Sequence, residues 1–337
     1  MNELDQRPII GITAGDPAGV GPEIVTRAVA KADLHQTARL LVFGTASVMA
    51  RAIQLVGADL SVHSIEHPNQ GVFSAGTMDL VDLASAEAHD VQPGVVQAAA
   101  GRSAFQYIRL AIEMAMSGEI DAIATAPINK ESLRAGEVPY LDHTEMLAKL
   151  SDSPNPMTLF VLDNLRIFFL TRHVSLAEAC RQVTATSVLE ALQRSAAELR
   201  RLGIEKPRIA VAGLNPHAGD GGLFGSEDDT QIAPAVAQAR ALGLDVYGPI
   251  PADAVFYMNR TGRYDAVLAL YHDQGHIAAK TVDFERTISV TVGLPFLRTS
   301  VDHGTAFDIA WKGTASATGM EEAIRVASRF APLFHRG

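Results

Sequence analysis

The stretch YHDQGHIAAK, Tyr271 to Lys280, sets His272 and His276 four residues apart, places Asp273 beside the first and ends on a lysine. On a helix, that spacing would bring both imidazoles to one face, where they could share a metal ion. DAVLAL, just before it, reads as a buried strand, and Gly275 argues for a turn, so the local spacing does not by itself make a metal motif. Two further histidines follow apolar runs, His173 in LTRHVS and His217 in NPHAG. Neutral imidazoles suit zinc or another borderline divalent ion, and three of them with one position left open would be a catalytic arrangement. A hydrogen-bonding structural role is the plain alternative for each. Asp253 in PADAVF is a fourth candidate, as a ligand, as an acceptor behind one, or as a helix cap.

Candidates for holding an anion are His143 and Thr144 in LDHTEML, Lys280, and Arg298 in GLPFLRTS. Arginine meets phosphate or carboxylate with two parallel N–H bonds, and lysine acts as a point charge. In SVDHGTAFDIAWKG, His303 offers a ring for stacking, Gly304 a close backbone approach and Asp308 a carboxylate for a ribose hydroxyl. A loop leading into a helix capped by Asp308 explains that stretch as well. GDPAGVGPE places glycines before Pro22, a natural first helical residue, yet it matches neither standard glycine-rich nucleotide pattern. Asp16 and Glu23 would repel a phosphate, so a strand-to-helix turn is an equal reading.

These residues need elements to position them. Short apolar runs alternate with amphipathic stretches along all 337 residues, the pattern of an α/β protein with mostly parallel strands. Strands are expected at PIIGIT, RLLVFG, DAIATA, MTLFVLD, LRIFFLT, PRIAVAGL, DAVLALY and TISVTVGL. Helices are expected after Pro22, at Ala46, and near Gly94, Leu176, Thr184, Asp228 and Met320. Asp163-Asn164 reads as a hairpin turn that makes one pair antiparallel. Polar clusters recur at strand ends, where ligands of such sheets bind, which suggests one composite cleft.

A net charge of −10 and a pI near 5.5, with no basic run, argue against nucleic acid or an anionic membrane as partner. The single cysteine, Cys180, reads as a small buried hydrophobe. No apolar run nears the ~20 residues of a membrane helix, and the N-terminus lacks a secretory pattern, so a cytoplasmic enzyme is expected.

GDPAGVGPE, TAPINKE, HTE, NPHAG, PAD, YHDQG and GLPFLRTSVDHGTAFDIA resemble, in order and spacing, the 4-hydroxythreonine-4-phosphate dehydrogenase family of vitamin B6 biosynthesis. HGTAFDIAWKG also resembles the adenosine-binding loop of isocitrate and isopropylmalate dehydrogenases. The resemblance implies two α/β/α domains around a cleft, with residues 1–133 and 291–337 on the dinucleotide side and 134–290 on the metal, substrate and dimer side. It implies a homodimer with a shared active site, NAD or NADP, and one divalent ion such as zinc, magnesium or cobalt. It makes His173, His217 and His272 the metal ligands with Asp253 close by. His143, Thr144, Lys280, Ser289 and Arg298 become substrate contacts, with Lys280 the candidate base, and His303, Gly304 and Asp308 become cofactor contacts. His276 is left as a bystander. The implied reaction is oxidation and decarboxylation of 4-hydroxythreonine-4-phosphate.

Two positions depart from the family pattern: Asp142 stands where glycine is usual, and Ser289, nine residues before Arg298, where asparagine is. They turn attention to relatives acting on 4-phospho-D-threonate, 4-phospho-D-erythronate or a carboxylated cis-dihydrodiol. A phosphate acetyltransferase-like enzyme is the alternative from a different class.

Overall fold

Strand ends carry almost every candidate residue, so the order of the strands decides which candidates can meet. The computed structural model describes residues 5–84 and 86–334. In chain order the strands are β1 (Ile9–Thr13), β2 (Arg39–Gly44), β3 (Ser61–Ile65), β4 (Thr77–Asp82), β5 (Ala122–Thr125), β6 (Met157–Leu162), β7 (Leu165–Phe169), β8 (Ile209–Ala212), β9 (Val246–Ile250), β10 (Ala266–Ala269), β11 (Ile288–Val292) and β12 (Leu297–Ser300). The chain divides into two compact units, residues 1–156 with 293–337, and 157–292.

In the first unit the order is β3-β4-β2-β1-β5-β12, all parallel. β1, β2 and β5 are buried almost throughout, as expected of apolar runs covered by helices on both faces. The second unit runs β11-β6-β7-β10-β8-β9, with β6 antiparallel to both neighbours and the rest parallel. Asp163 takes the positive φ of 52° that turns β6 into β7, as the Asp163-Asn164 hairpin requires. The α/β class and the eight expected strands are therefore present.

Residues 134–156, grouped by sequence with the second domain, cluster with the first unit, where the Tyr140 ring lies 5.7 Å from Phe105 of the helix Ala98–Ser117. Four strands were not expected. β3 is edge-placed and largely polar, β4 carries two acids, β9 contains Gly248-Pro249, and β12 reads LRTS although all four of its residues are buried. Cys180 is exposed rather than buried, on the outer face of the helix Leu176–Gln182.

The turn expected at Gly275 is absent: His272–Val282 is one helix. Gly275 is inside it because a Cβ there would lie 2.4 Å from Phe169 and 2.9 Å from Ile167 of β7. The glycine seats the helix on the strand, and that contact outweighs its low helix propensity. GDPAGVGPE is likewise a structural turn. Gly19 approaches Thr305 so closely that a Cβ would meet it at 2.9 Å, and Val20 N–H donates to Thr305 O at 3.0 Å.

Within that turn Asp16 is fully buried. Its Oδ1 accepts from Ala18 N–H at 2.8 Å, and its own N–H donates to Pro127 O, which joins the ends of β1 and β5. Burial pushes the carboxyl up to about 6, against smaller opposing pulls from Ala18, Ser132 and Asn129. A carboxyl raised in the folded state favours folding most below its unfolded pKa of 3.8, and that contribution is lost as pH rises through about 6. Asp16→Asn should therefore gain stability over the parent between pH 4 and 7, by about 2–3 kcal/mol, read from urea midpoints across that range. Parallel pH profiles would contradict it.

Candidate active site

In the second unit, three strand ends are stitched together at Leu270. Its N–H donates to Gln274 Oε1 at 2.7 Å, and its carbonyl accepts from Thr171 Oγ1 at 2.8 Å. Gln274 Nε2 donates in turn to Gly213 O at 2.8 Å. β7, β8 and β10 are thus joined just before His173, His217 and His272. His272 opens the helix His272–Val282, and its ring centroid lies 5.7 Å from that of His173. Its Nδ1 is 2.7 Å from Asp273 Oδ1. That bond gives Nδ1 the proton and leaves Nε2 as the lone-pair nitrogen a metal would take.

His217 sits in a loop of unusual backbone. His217, Ala218 and Asp220 all have positive φ, at 55°, 55° and 45°. Such residues are individually unfavourable and persist where the surroundings over-determine them. Asp228, fully buried, does this: Oδ1 accepts from Leu214 N–H at 2.9 Å, and Oδ2 from Asn215 N–H and Nδ2 at 3.0 Å each. In sequence Asp228 marks only a helix start; its signal is an acid thirteen residues after Asn215 with no cation nearby.

Asp253 is in the first turn of the helix Ala252–Arg260, not its cap, and shares a groove with Tyr271 and Asp273, the neighbours of His272. Lys280 lies in the last turn of its helix with Nζ 5.1 Å from the Phe284 ring. Ser289 pairs with Phe160 across β11 and β6. The His276 ring, expected as a bystander, stacks on that of His272.

In the first unit, Arg298 of β12 is 5% exposed, and its Nε and Nη2 donate to Thr125 Oγ1 at 3.1 and 2.7 Å. Burial lowers the guanidinium to about 10, while Asp142 and Asp302 pull it back up. His143 begins the helix His143–Leu150, with Thr144 next, where backbone N–H groups favour an anion. Burial, and then the positive charge of Arg298, hold His143 well below its ordinary pKa, so it is neutral. Its Nε2 is buried without a hydrogen-bond partner. Asp142 is committed elsewhere: it caps that helix by accepting from Glu145 N–H at 3.1 Å and pairs with Lys130 at 3.6 Å.

His303 and Gly304 lie in an exposed loop in which the His303 Nδ1–H donates to Gly304 O at 2.9 Å. Asp308 is exposed, at the turn that follows. The space beside Gly304 is open. An accessible ring, an open glycine and a carboxylate fit a nucleoside. Asp308 caps no helix, since the segment continues in turns.

For a metal, the donor chemistry fits and His173 and His272 are neighbours. Among the described residues, however, no group of three His, Cys, Asp or Glu side chains stands in ion-holding geometry.

The family model described as pyridoxal phosphate biosynthetic protein PdxA matches residues 36–327. A relative from Symbiobacterium thermophilum, named "Putative D-threonate 4-phosphate dehydrogenase", is 53% identical over 99% of both chains. The crystal structure of 4-hydroxythreonine-4-phosphate dehydrogenase from Klebsiella pneumoniae is 42% identical with a TM-score of 0.91, covering 97% of this chain and 98% of that one. A terephthalate 1,2-cis-dihydrodiol dehydrogenase from Burkholderia xenovorans is more distant, at 31% identity and a TM-score of 0.66 over 96% and 98%.

The Asp228 clasp carries a stability prediction independent of these relatives. Asp228→Ala orphans the Leu214 and Asn215 N–H groups and should cost about 3–5 kcal/mol in urea unfolding, and Asp228→Asn should cost less because its amide oxygen still accepts. An unchanged midpoint for the alanine variant would show that the loop does not depend on this carboxylate.

Proposed function

The chain belongs to the PdxA family of dehydrogenases, and from that membership we propose that it oxidises and decarboxylates D-threonate 4-phosphate with NAD or NADP. The carrying observation is the corner formed by Arg298 and His143. A buried guanidinium beside a neutral imidazole with an unpartnered Nε2, at a helix N-terminus, is completed by a phosphorylated ligand. Family membership leaves no basis for the transferase reading.

The choice of D-threonate 4-phosphate over the amino acid 4-hydroxythreonine-4-phosphate rests on two positions and one likeness. Asp142 is taken up by the helix cap and Lys130 and is not a free partner for a substrate ammonium. Ser289 offers a hydroxyl that both donates and accepts, which suits a C2 hydroxyl. The 53% identical relative carries the D-threonate 4-phosphate name.

In this reading Arg298, His143 and Thr144 hold the phosphate. His173, His217 and His272 would hold a divalent ion with Asp253 close by, and His303, Gly304 and Asp308 would hold the dinucleotide. When bound, the nicotinamide supplies a hydride acceptor and the ion supplies Lewis acidity. Lys280 removes the proton of the C3 hydroxyl as the C3 hydrogen leaves as hydride. The resulting ketone is β to the carboxylate, so the C1–C2 bond breaks with loss of carbon dioxide, and C2 regains a proton from Lys280. The net products are glycerone phosphate, carbon dioxide and reduced nicotinamide, with no net proton released.

Exposed Tyr257, Ile277 and Phe284, 70%, 63% and 63% accessible, support the homodimer. No helix among the described residues is long and apolar enough to cross a membrane.

The test is reduced-nicotinamide formation with D-threonate 4-phosphate, 4-hydroxythreonine-4-phosphate, 4-phospho-D-erythronate and a carboxylated dihydrodiol. We expect the first to exceed the others at least tenfold in kcat/KM, and Arg298→Lys to raise its KM about tenfold or more through loss of two-point binding. A preference for 4-hydroxythreonine-4-phosphate would overturn the assignment.

A further inference from the structure

We propose that His276 is a positioning residue that fixes the ring plane of His272, an inference that rests on the reading of His272 as a metal ligand. The two rings lie face to face, their centroids 3.5 Å apart and their planes 11° from parallel. His276 is itself gripped. Its Nδ1–H donates to the His272 carbonyl at 2.8 Å, which sets both its tautomer and its orientation. Phe160 meets it edge-on at 4.3 Å and 64°, and Phe169 lies 4.7 Å away at 44°. Both phenylalanines are buried, and they contact each other edge-on at 5.2 Å.

The order in the core thus passes outward through one ring to the next. Phe160 and Phe169 fix His276, and His276 presents a flat face against which His272 lies. Asp273, the other group that orients His272, is 71% exposed in its side chain and holds it only from solvent, where such a bond is weak. A ligand ring ordered in advance loses less rotational freedom when an ion arrives, so the stack should appear as metal affinity. Gly275 makes this possible, since only glycine lets the helix come close enough to β7 for His276 to reach both phenylalanines.

The test compares His276→Phe, which keeps a ring and loses the nitrogens, with His276→Leu, which fills the space without a ring. Cobalt(II) titrated into each metal-free protein and followed by visible absorption gives the affinity. We expect the phenylalanine variant to stay within threefold of the parent and the leucine variant to bind about tenfold or more weakly. Equal affinities in both, or an equal loss in both, would overturn the proposal. Ring-proton NMR of the metal-free proteins gives a second readout: His272 resonances shifted by the neighbouring ring should persist in the phenylalanine variant and move in the leucine variant. His272→Ala separates the two readings. If it leaves cobalt binding intact, the metal assignment fails, and the NMR shifts then decide the stack alone, with unmoved resonances in the leucine variant overturning it.

Discussion

One buried glutamine organises the second unit. Gln274 accepts from Leu270 N–H and donates to Gly213 O, so a single amide spans the end of β10, the loop after β8 and the helix it belongs to. Thr171 completes the arrangement by donating to the Leu270 carbonyl from the end of β7. All of these backbone groups lie at strand ends, where the ladder stops and each buried donor or acceptor needs another partner. Their only economical partners are side chains, and those side chains fix how the histidine-bearing segments depart from the strands. Shortening Gln274 would orphan two backbone groups at once, so the position tolerates little else.

The first unit meets a different demand, keeping an arginine buried within a chain of net charge −10. Arg298 is 5% exposed, held by Thr125, and Asp142 and Asp302 lie close enough to favour its charged form. A charge out of water interacts more strongly with a ligand than one on the surface. His143 stays neutral beside it, which avoids a second buried cation, and its Nε2 is buried without a hydrogen-bond partner.

The sequence exposes what is local and apolar. β1, β2, β5, β6, β7, β8, β10 and β11 are mainly apolar segments, and Asp163-Asn164 marks its hairpin outright. β12 escapes the sequence pattern because LRTS is a strand whose burial depends on neighbours distant in sequence, with a buried arginine in its middle. Gly275 differs for a related reason: as a local signal it means a turn, and only Phe169 and Ile167, about a hundred residues away, show that it is a packing glycine. The candidate histidines could be named from their strand-end context and family resemblance. Gln274, Asp228 and the His272–His276 stack could not, because their roles consist of contacts between segments that no spacing rule connects.

His217 shows how those contacts set the site's rigidity. Its loop keeps three non-glycine residues at positive φ, a conformation that costs on the order of 1–2 kcal/mol per residue. Asp228 supplies three hydrogen bonds from a buried carboxylate, each worth about 1.5–3 kcal/mol for a charged acceptor. The two sums are of the same size, so the clasp is strong enough to hold the loop without much surplus. His272 needs no such strain, because a regular helix and a stacked ring hold it. The three candidate ligands are therefore held by unequal means, a helix start, a strand end and a strained loop. A substitution at Asp228 should disturb His217 while leaving the His173–His272 pair in place, and this unequal dependence separates a loop-held ligand from two framework-held ones.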